Sequence, residues 1–395
     1  MLTVIKNVYP VFEDSVAKKC VSIIIENGII TDVNFENQIP DRAEVIDGKN
    51  GYCLAGFIDL HVHGGGGADF MDETVEAFKT VTDTHLKHGT TTLVPTSMTA
   101  SEEDLIKFVK NFNEFKKSGN SKVTLPGVHL EGPYFAGANS KSAGAQKVSL
   151  LREPDENEID HILNAADGSI IRWDAAPELK NIEMFLHKMK QNGILSAVAH
   201  SNATGNEAMK GFENGFAHVT HFYNAVTTYR KVEQNVLAGV VEAAYLNDFV
   251  TLELICDGKH IPKECLLLAI KIKGAEKVAA ITDAMRIAGT DLKKGKLGSL
   301  KSGTDVIVDD GVAKLSDLTS FAGSIATMDR CLKVLVDDYK IPLNVASIML
   351  SGAPARRLNI FNNVGSIENG KVADLVIVDN DLKIQNVFKS GKIVV

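Results

Sequence analysis

The middle of the chain alternates between short apolar runs rich in β-branched residues and longer stretches of helical periodicity. This alternation constrains the fold more than any other feature of the sequence. The apolar runs fall at 57–60, 91–95, 123–130, 170–175, 195–199, 217–220, 250–255 and 278–281. A strand buried on both faces reads as a continuous apolar run, and helices between such strands make the sheet parallel. Eight such units predict an α/β chain closed as a (β/α)8 TIM-like barrel. An open doubly wound sheet is the alternative, but no GxGxxG follows the first strand. Helix punctuation supports the alternation. Thr99-Ala-Ser-Glu102 reads as a capping box ahead of Leu105, Phe108 and Val109. Pro262 opens an apolar helix that ends at Gly274.

Both ends of the chain read differently. Residues 21–33 hold two β-branched runs around Asn27-Gly28, a strong hairpin signal. Residues 373–379 read as a strand, and 384–395 as a second hairpin turning at Ser390-Gly391. The predicted organisation is a small β-sandwich domain built from residues 1–52 and 359–395, around a barrel of residues 53–358.

Composition excludes several functions. A net charge of −8 with dispersed charges lacks the basic footprint of a nucleic-acid binder. The 5 cysteines are odd in number and without CxxC spacing, which argues for a reducing compartment and against a disulfide framework. The N-terminus lacks a basic region followed by an apolar run, and no stretch of about 20 apolar residues spans a bilayer. The expectation is a cytoplasmic protein with no membrane partner.

In a barrel the chemistry sits at the C-terminal ends of the strands. Strand one ends in Asp59-Leu-His61-Val-His63, strand three in His129-Leu-Glu131, strand five in His200, strand six in His221 and strand eight in Asp283. Residues i and i+2 of a strand share a face, so His61 and His63 form a two-imidazole pincer. Imidazole and carboxylate together suit a divalent metal such as zinc or iron. Taken singly, an HxH in a strand or a glutamate at a strand end is usually structural or solvated. The coincidence of five such residues and a carboxylate base at one end of one alternating pattern is what points to a metal site. His85, His88, His161 and His187 read instead as surface residues, His129 as a core histidine, and His218 as lying at the wrong end of strand six. Gly64-Gly65-Gly66-Gly67 lacks the Lys-Ser/Thr of a nucleotide-binding loop and reads as a close backbone approach to metal or substrate.

These blocks resemble the amidohydrolase superfamily and, within it, the N-acetylglucosamine-6-phosphate deacetylases. Gly56-Phe-Ile-Asp-Leu-His-Val-His-Gly64 resembles the strand-one signature, Gly127-Val-His-Leu-Glu-Gly-Pro133 the block around the metal-binding glutamate, and Val219-Thr-His-Phe-Tyr-Asn-Ala225 the strand-six block. Asp257-Gly-Lys-His260, Thr282-Asp-Ala284, Ala322-Gly-Ser324 and Gly370–Val376 are similar to further blocks. Strand four, Ile171-Arg-Trp-Asp-Ala-Ala-Pro177, carries no lysine at its end, which leaves the bridging role to Glu131.

The resemblance implies one or two divalent ions, zinc or iron. His61, His63, Glu131 and Asp283 would hold one, and Glu131, His200 and His221 the other. It implies Asp283 as the proton acceptor and donor and His260 as the group that stabilises the carbonyl oxygen. It places Ala145, Gln146, Asn224, Ala225, Phe321, Ala322 and Gly323 at the substrate, a small amino-sugar phosphate. Arg230 would meet the phosphate in the neighbouring subunit's site, which implies a homodimer. Relatives usually carry Gly-Ala-His where this chain has Gly144-Ala145-Gln146, and Glu-Pro-Gly after the arginine where it has Lys231-Val-Glu-Gln. These departures fall at expected sugar and phosphate contacts and leave the metal ligands and Asp283 untouched. The rival expectations are the galacto epimer of the substrate, another amidohydrolase such as a D-aminoacylase or cyclic-amide hydrolase, and a non-catalytic sugar-phosphate binder.

Overall fold

The computed structural model describes residues 1–34, 39–137 and 141–395. Six parallel strands hydrogen-bond in the order Val128–Leu130, Ile170–Ala175, Leu195–Val198, His218–Val219, Thr251–Ile255, Val278–Ile281. Phe57–Val62 and Thr90–Pro95 form a parallel pair. Isolated parallel bridges join the two sets at both seams, Thr96 to His129 on one side and Val62 to Ala284 on the other. The run predicted at 123–130 is a strand only from Val128, because Pro126 has no N–H for a ladder. The run at 217–220 shrinks to His218–Val219, since the backbone turns left-handed at His221 (φ 27°).

The long helix Glu102–Ser118 buries Leu105, Phe108, Val109, Phe112 and Phe115, a stripe at helical spacing. Its cap differs from the sequence expectation. Ser101 Oγ accepts from the Asp104 N–H, while the Thr99 N–H donates to Gln146 Oε1. The helix Lys263–Lys273 starts after Pro262 and stops at Gly274, as expected.

The terminal strands hydrogen-bond in one seven-stranded sheet, in the order Lys392–Ile393, Ile384–Lys389, Leu375–Val378, Glu44–Ala55, Leu2–Pro10, Val21–Glu26, Ile29–Asn34. Both predicted hairpin turns are present, with positive φ at Asn27-Gly28 and at Ser390-Gly391. Ile5, Val8, Ile23, Ile25, Leu375, Ile377 and Phe388 form the core of this sheet. Glu44–Ala55 leads into Phe57–Val62 through Gly56 alone, where a Cβ would lie 2.3 Å from Thr91 Oγ1.

Two surface assignments fail. His85 is fully buried in the helix Val75–Lys87, with Nε2 3.0 Å from the Gly64 carbonyl. His88 is half-buried, with Nδ1 3.0 Å from Asp329. The glycine run is packed closely against its neighbours: a Cβ on Gly64 would lie 2.8 Å from the Arg286 N, and one on Gly65 2.9 Å from His85 Nε2. Among the described residues no helix is long and apolar enough to cross a membrane.

Candidate metal centre

His61, His63, Glu131, His200, His221 and Asp283 converge at one end of the parallel strands, and all are buried. His61 Nε2 and His63 Nε2 are 3.1 Å apart. Glu131 Oε1 lies 3.1 Å from His200 Nε2, 3.0 Å from His221 Nε2 and 3.7 Å from His61 Nε2. Its other oxygen is 3.4 Å from His63 Nε2. The residues form two groups, His61–His63–Glu131 and Glu131–His200–His221, with Glu131 common to both. Asp283 Oδ1 lies 3.2 Å from His63 Nε2 and 3.4 Å from His61 Nε2. Three of these residues have left-handed backbone, His200 (φ 44°), His221 (φ 27°) and Asp283 (φ 49°). Such conformations cost of order 1–3 kcal/mol each and cluster at functional sites.

The outer atoms of the rings fit a metal site. His61 Nδ1 is 2.8 Å from Glu253 Oε1, His200 Nδ1 donates to the Ser142 carbonyl at 2.7 Å, and His221 Nδ1 donates to the Asn224 carbonyl at 3.0 Å. A partner on Nδ1 sets the tautomer and presents the Nε2 lone pair inward. His63 differs, its buried Nδ1 having no hydrogen-bond partner among the described residues. Lone pairs held 3.1–3.2 Å apart repel unless a cation or proton lies between them. Charge follows the same logic. Burial opposes ionisation of Glu131, but hydrogen bonds from His200 and His221 and the charge of His61 hold its carboxyl well below the usual range. Burial likewise opposes protonation of His221, yet Glu131 raises it to about 9. A divalent cation is the natural replacement for such shared protons.

Beneath the candidate ligands lies a charge network that the sequence reading missed. Arg172 donates to Glu253 at 2.7 Å and to Asp174 at 2.9 Å, and Glu253 in turn meets His61, His218 Nε2 (3.2 Å) and the His221 N–H (3.2 Å). His129 Nε2 lies 2.8 Å from Asp174 and is a core histidine, as expected. The available signal was a charged residue inside an apolar strand, which must be paired to be buried.

Above the ligands a pocket of about 170 Å³ brings Ala145, Gln146, Asn224, Ala225, His260, Phe321 and Gly323 to the cluster. The Asn224 Nδ2 is buried without a hydrogen-bond partner among the described residues. His260 Nδ1 is held by Asp257 Oδ2 at 2.7 Å, and its ring packs on Phe321. Two expected site residues are elsewhere. Ala322 is fully buried with its N–H bonded to Ala313, and does not line the pocket. Arg230 lies on a separate hairpin, with Nη2 3.4 Å from the Asn202 carbonyl. Gln146 also corrects the expectation that the departures spare the metal ligands, because its Nε2 donates to Glu131 Oε2 at 2.7 Å.

The chain belongs to the amidohydrolase family, whose model matches residues 52–394. That family is typically metal-dependent. The chain is similar to the N-acetylglucosamine-6-phosphate deacetylase of Bacillus subtilis (strain 168), with 31% identity over 384 residues, 96% of this chain and 94% of that one. It is 28% identical to the N-acetylgalactosamine-6-phosphate deacetylase of Escherichia coli O157:H7, over 85% of this chain and 86% of that protein. The crystal structure of N-acetylglucosamine-6-phosphate deacetylase from Pasteurella multocida superposes with a TM-score of 0.90 at 27% identity, covering 100% of this chain and 99% of that one.

Proposed function

We propose that this chain hydrolyses the acetamide of N-acetyl-D-glucosamine 6-phosphate, giving glucosamine 6-phosphate and acetate in amino-sugar catabolism. The observation that carries it is Asp283, a carboxylate within 3.4 Å of both His61 and His63 at the floor of the pocket. His61, His63, Glu131 and Asp283 would hold one divalent ion, and Glu131, His200 and His221 a second, zinc or iron. When bound, such a cation supplies Lewis acidity and lowers the pKa of a water to roughly 7.

Asp283 takes the proton of the attacking water and returns it to the departing amine. Asp257 holds His260 Nδ1, so that the Nε2–H donates to the carbonyl oxygen as negative charge grows there. The unpartnered Asn224 Nδ2 donates to the sugar, beside Ala145, Ala225, Phe321 and Gly323. Arg230 reaches the phosphate in a neighbouring subunit, which makes the working form a homodimer in the cytoplasm. The eight strands close as a (β/α)8 barrel over residues 53–358. Residues 1–52 and 359–395 fold over as a small β-sandwich; the bridge between Ile29 and Val372 supports that closure.

Amine release is the test, with zinc or iron supplied. The substrates are N-acetylglucosamine 6-phosphate, its galacto epimer and the unphosphorylated sugar. Release is expected to be fastest with the first and to be lost in Asp283→Asn with binding retained. Preference for the galacto epimer moves the substrate. No release from any N-acyl amino sugar overturns catalysis and leaves a sugar-phosphate binder.

A further inference from the structure

At the end of the parallel strands opposite the histidine cluster, a cavity of about 710 Å³ opens beside the C-terminus of the helix Ala353–Arg357. Leu60, Val94, Ile171, Ile194 and Leu358 give it apolar walls. Arg357, Arg172, Lys190 and the exposed Glu213 are its charged lining. The two arginines differ. Arg172 is saturated by Asp174 and Glu253. Arg357 has no ion pair among the described residues, and its Nε is buried without a hydrogen-bond partner. Its neighbour Arg356 shows the contrast: both of its terminal nitrogens donate to Glu13 at 2.7 Å and its guanidinium stacks on Phe361. Burial and the nearby Arg172 both disfavour the charge on Arg357.

A guanidinium half-buried against apolar walls, next to a second cation, is costly unless an anion meets it. Its planar fork matches a carboxylate in bidentate geometry. The apolar walls match a short hydrocarbon chain, and the volume lies within the range of small-molecule sites. We propose that this cavity binds a small organic carboxylate, anchored by Arg357, at the opposite end of the strands from the hydrolytic centre. The inference is independent of the proposed amide hydrolysis.

Calorimetric titration of the metal-loaded protein tests it, with hexanoate, inorganic phosphate and hexanol as probes. Hexanoate is expected to bind saturably, one per chain, and more tightly than either other probe. Arg357→Met is expected to weaken hexanoate by about tenfold or more, the loss of roughly one charged contact. Ala217→Phe, which fills the cavity without touching the charge, is expected to do the same. Absence of saturable hexanoate binding overturns the proposal. So does hexanoate binding that survives Arg357→Met, the result expected if the carboxylate sits on the metal cluster. Phosphate or hexanol binding as tightly as hexanoate overturns the organic-carboxylate assignment. Should Arg357→Met fail to fold, survival of hexanoate binding in Ala217→Phe is the overturning result.

Discussion

Glu253 Oε1 lies 2.8 Å from His61 Nδ1, and the same carboxylate takes a 2.7 Å hydrogen bond from Arg172. The candidate ligand is thereby oriented from beneath by a charge that is itself paired. Glu253→Gln keeps the shape and removes the charge. Metal affinity at the His61 group is expected to fall about 10–100-fold. Stability is expected to fall by about 3 kcal/mol, because Arg172 keeps only Asp174 as a charged partner. Metal content after dialysis against a chelator, together with urea unfolding, checks both. Full metal retention would show that Glu253 does not orient His61.

Gln146 holds Glu131 Oε2 at 2.7 Å and accepts the Thr99 N–H at 3.0 Å. A residue that positions a ligand affects metal binding and turnover, whereas a sugar contact affects KM. Gln146→Ala is therefore expected to lower metal retention and kcat by about tenfold with KM little changed. A rise in KM alone, with metal content intact, would return Gln146 to the sugar.

His85 makes acid stability measurable. Burial pushes its pKa down from 6.5 to about 4. Between those values the unfolded chain binds a proton that the folded chain does not, so stability rises with pH across that window. It is fully present above 6.5 and is lost as pH falls toward 4, by about 3 kcal/mol from this residue. His85→Gln still donates to the Gly64 carbonyl and cannot charge. Its unfolding free energy is expected to fall less between pH 6.5 and 4 than that of the parent, and equal slopes would refute the assignment.

The hairpin that carries Arg230 exposes Tyr229, Val232 and Val236, and Leu246 and Phe249 are 80% and 90% exposed. Exposed apolar groups mark an association surface where they form a contiguous patch. Arg230→Ala is expected to raise KM for the phosphorylated sugar by about tenfold or more, as loss of a charged hydrogen bond implies. Mixing it with Asp283→Asn is expected to restore activity, since one hybrid site then carries both residues. A mixture that keeps only the raised KM of Arg230→Ala, with subunit exchange shown, would place Arg230 in its own chain's site or in none.

Much of this architecture is legible without coordinates. Runs 170–175 and 278–281 match their strands to the residue, because a strand buried on both faces has no polar residue at its ends to blur it. The candidate ligand cluster is legible for a related reason. Imidazoles and carboxylates ending apolar strands before loop residues are few, and the strand direction puts them at one end. What the sequence could not supply were relationships across the chain. Glu253 meets His61 over 192 positions, and Gln146 reaches Glu131 from a loop. His85 looked like a surface helix residue until the Gly64–Gly65 segment covered it. Periodicity encodes which way a side chain faces within its own element. Which charge neutralises which depends on how separate elements pack, and the tertiary structure alone decides that.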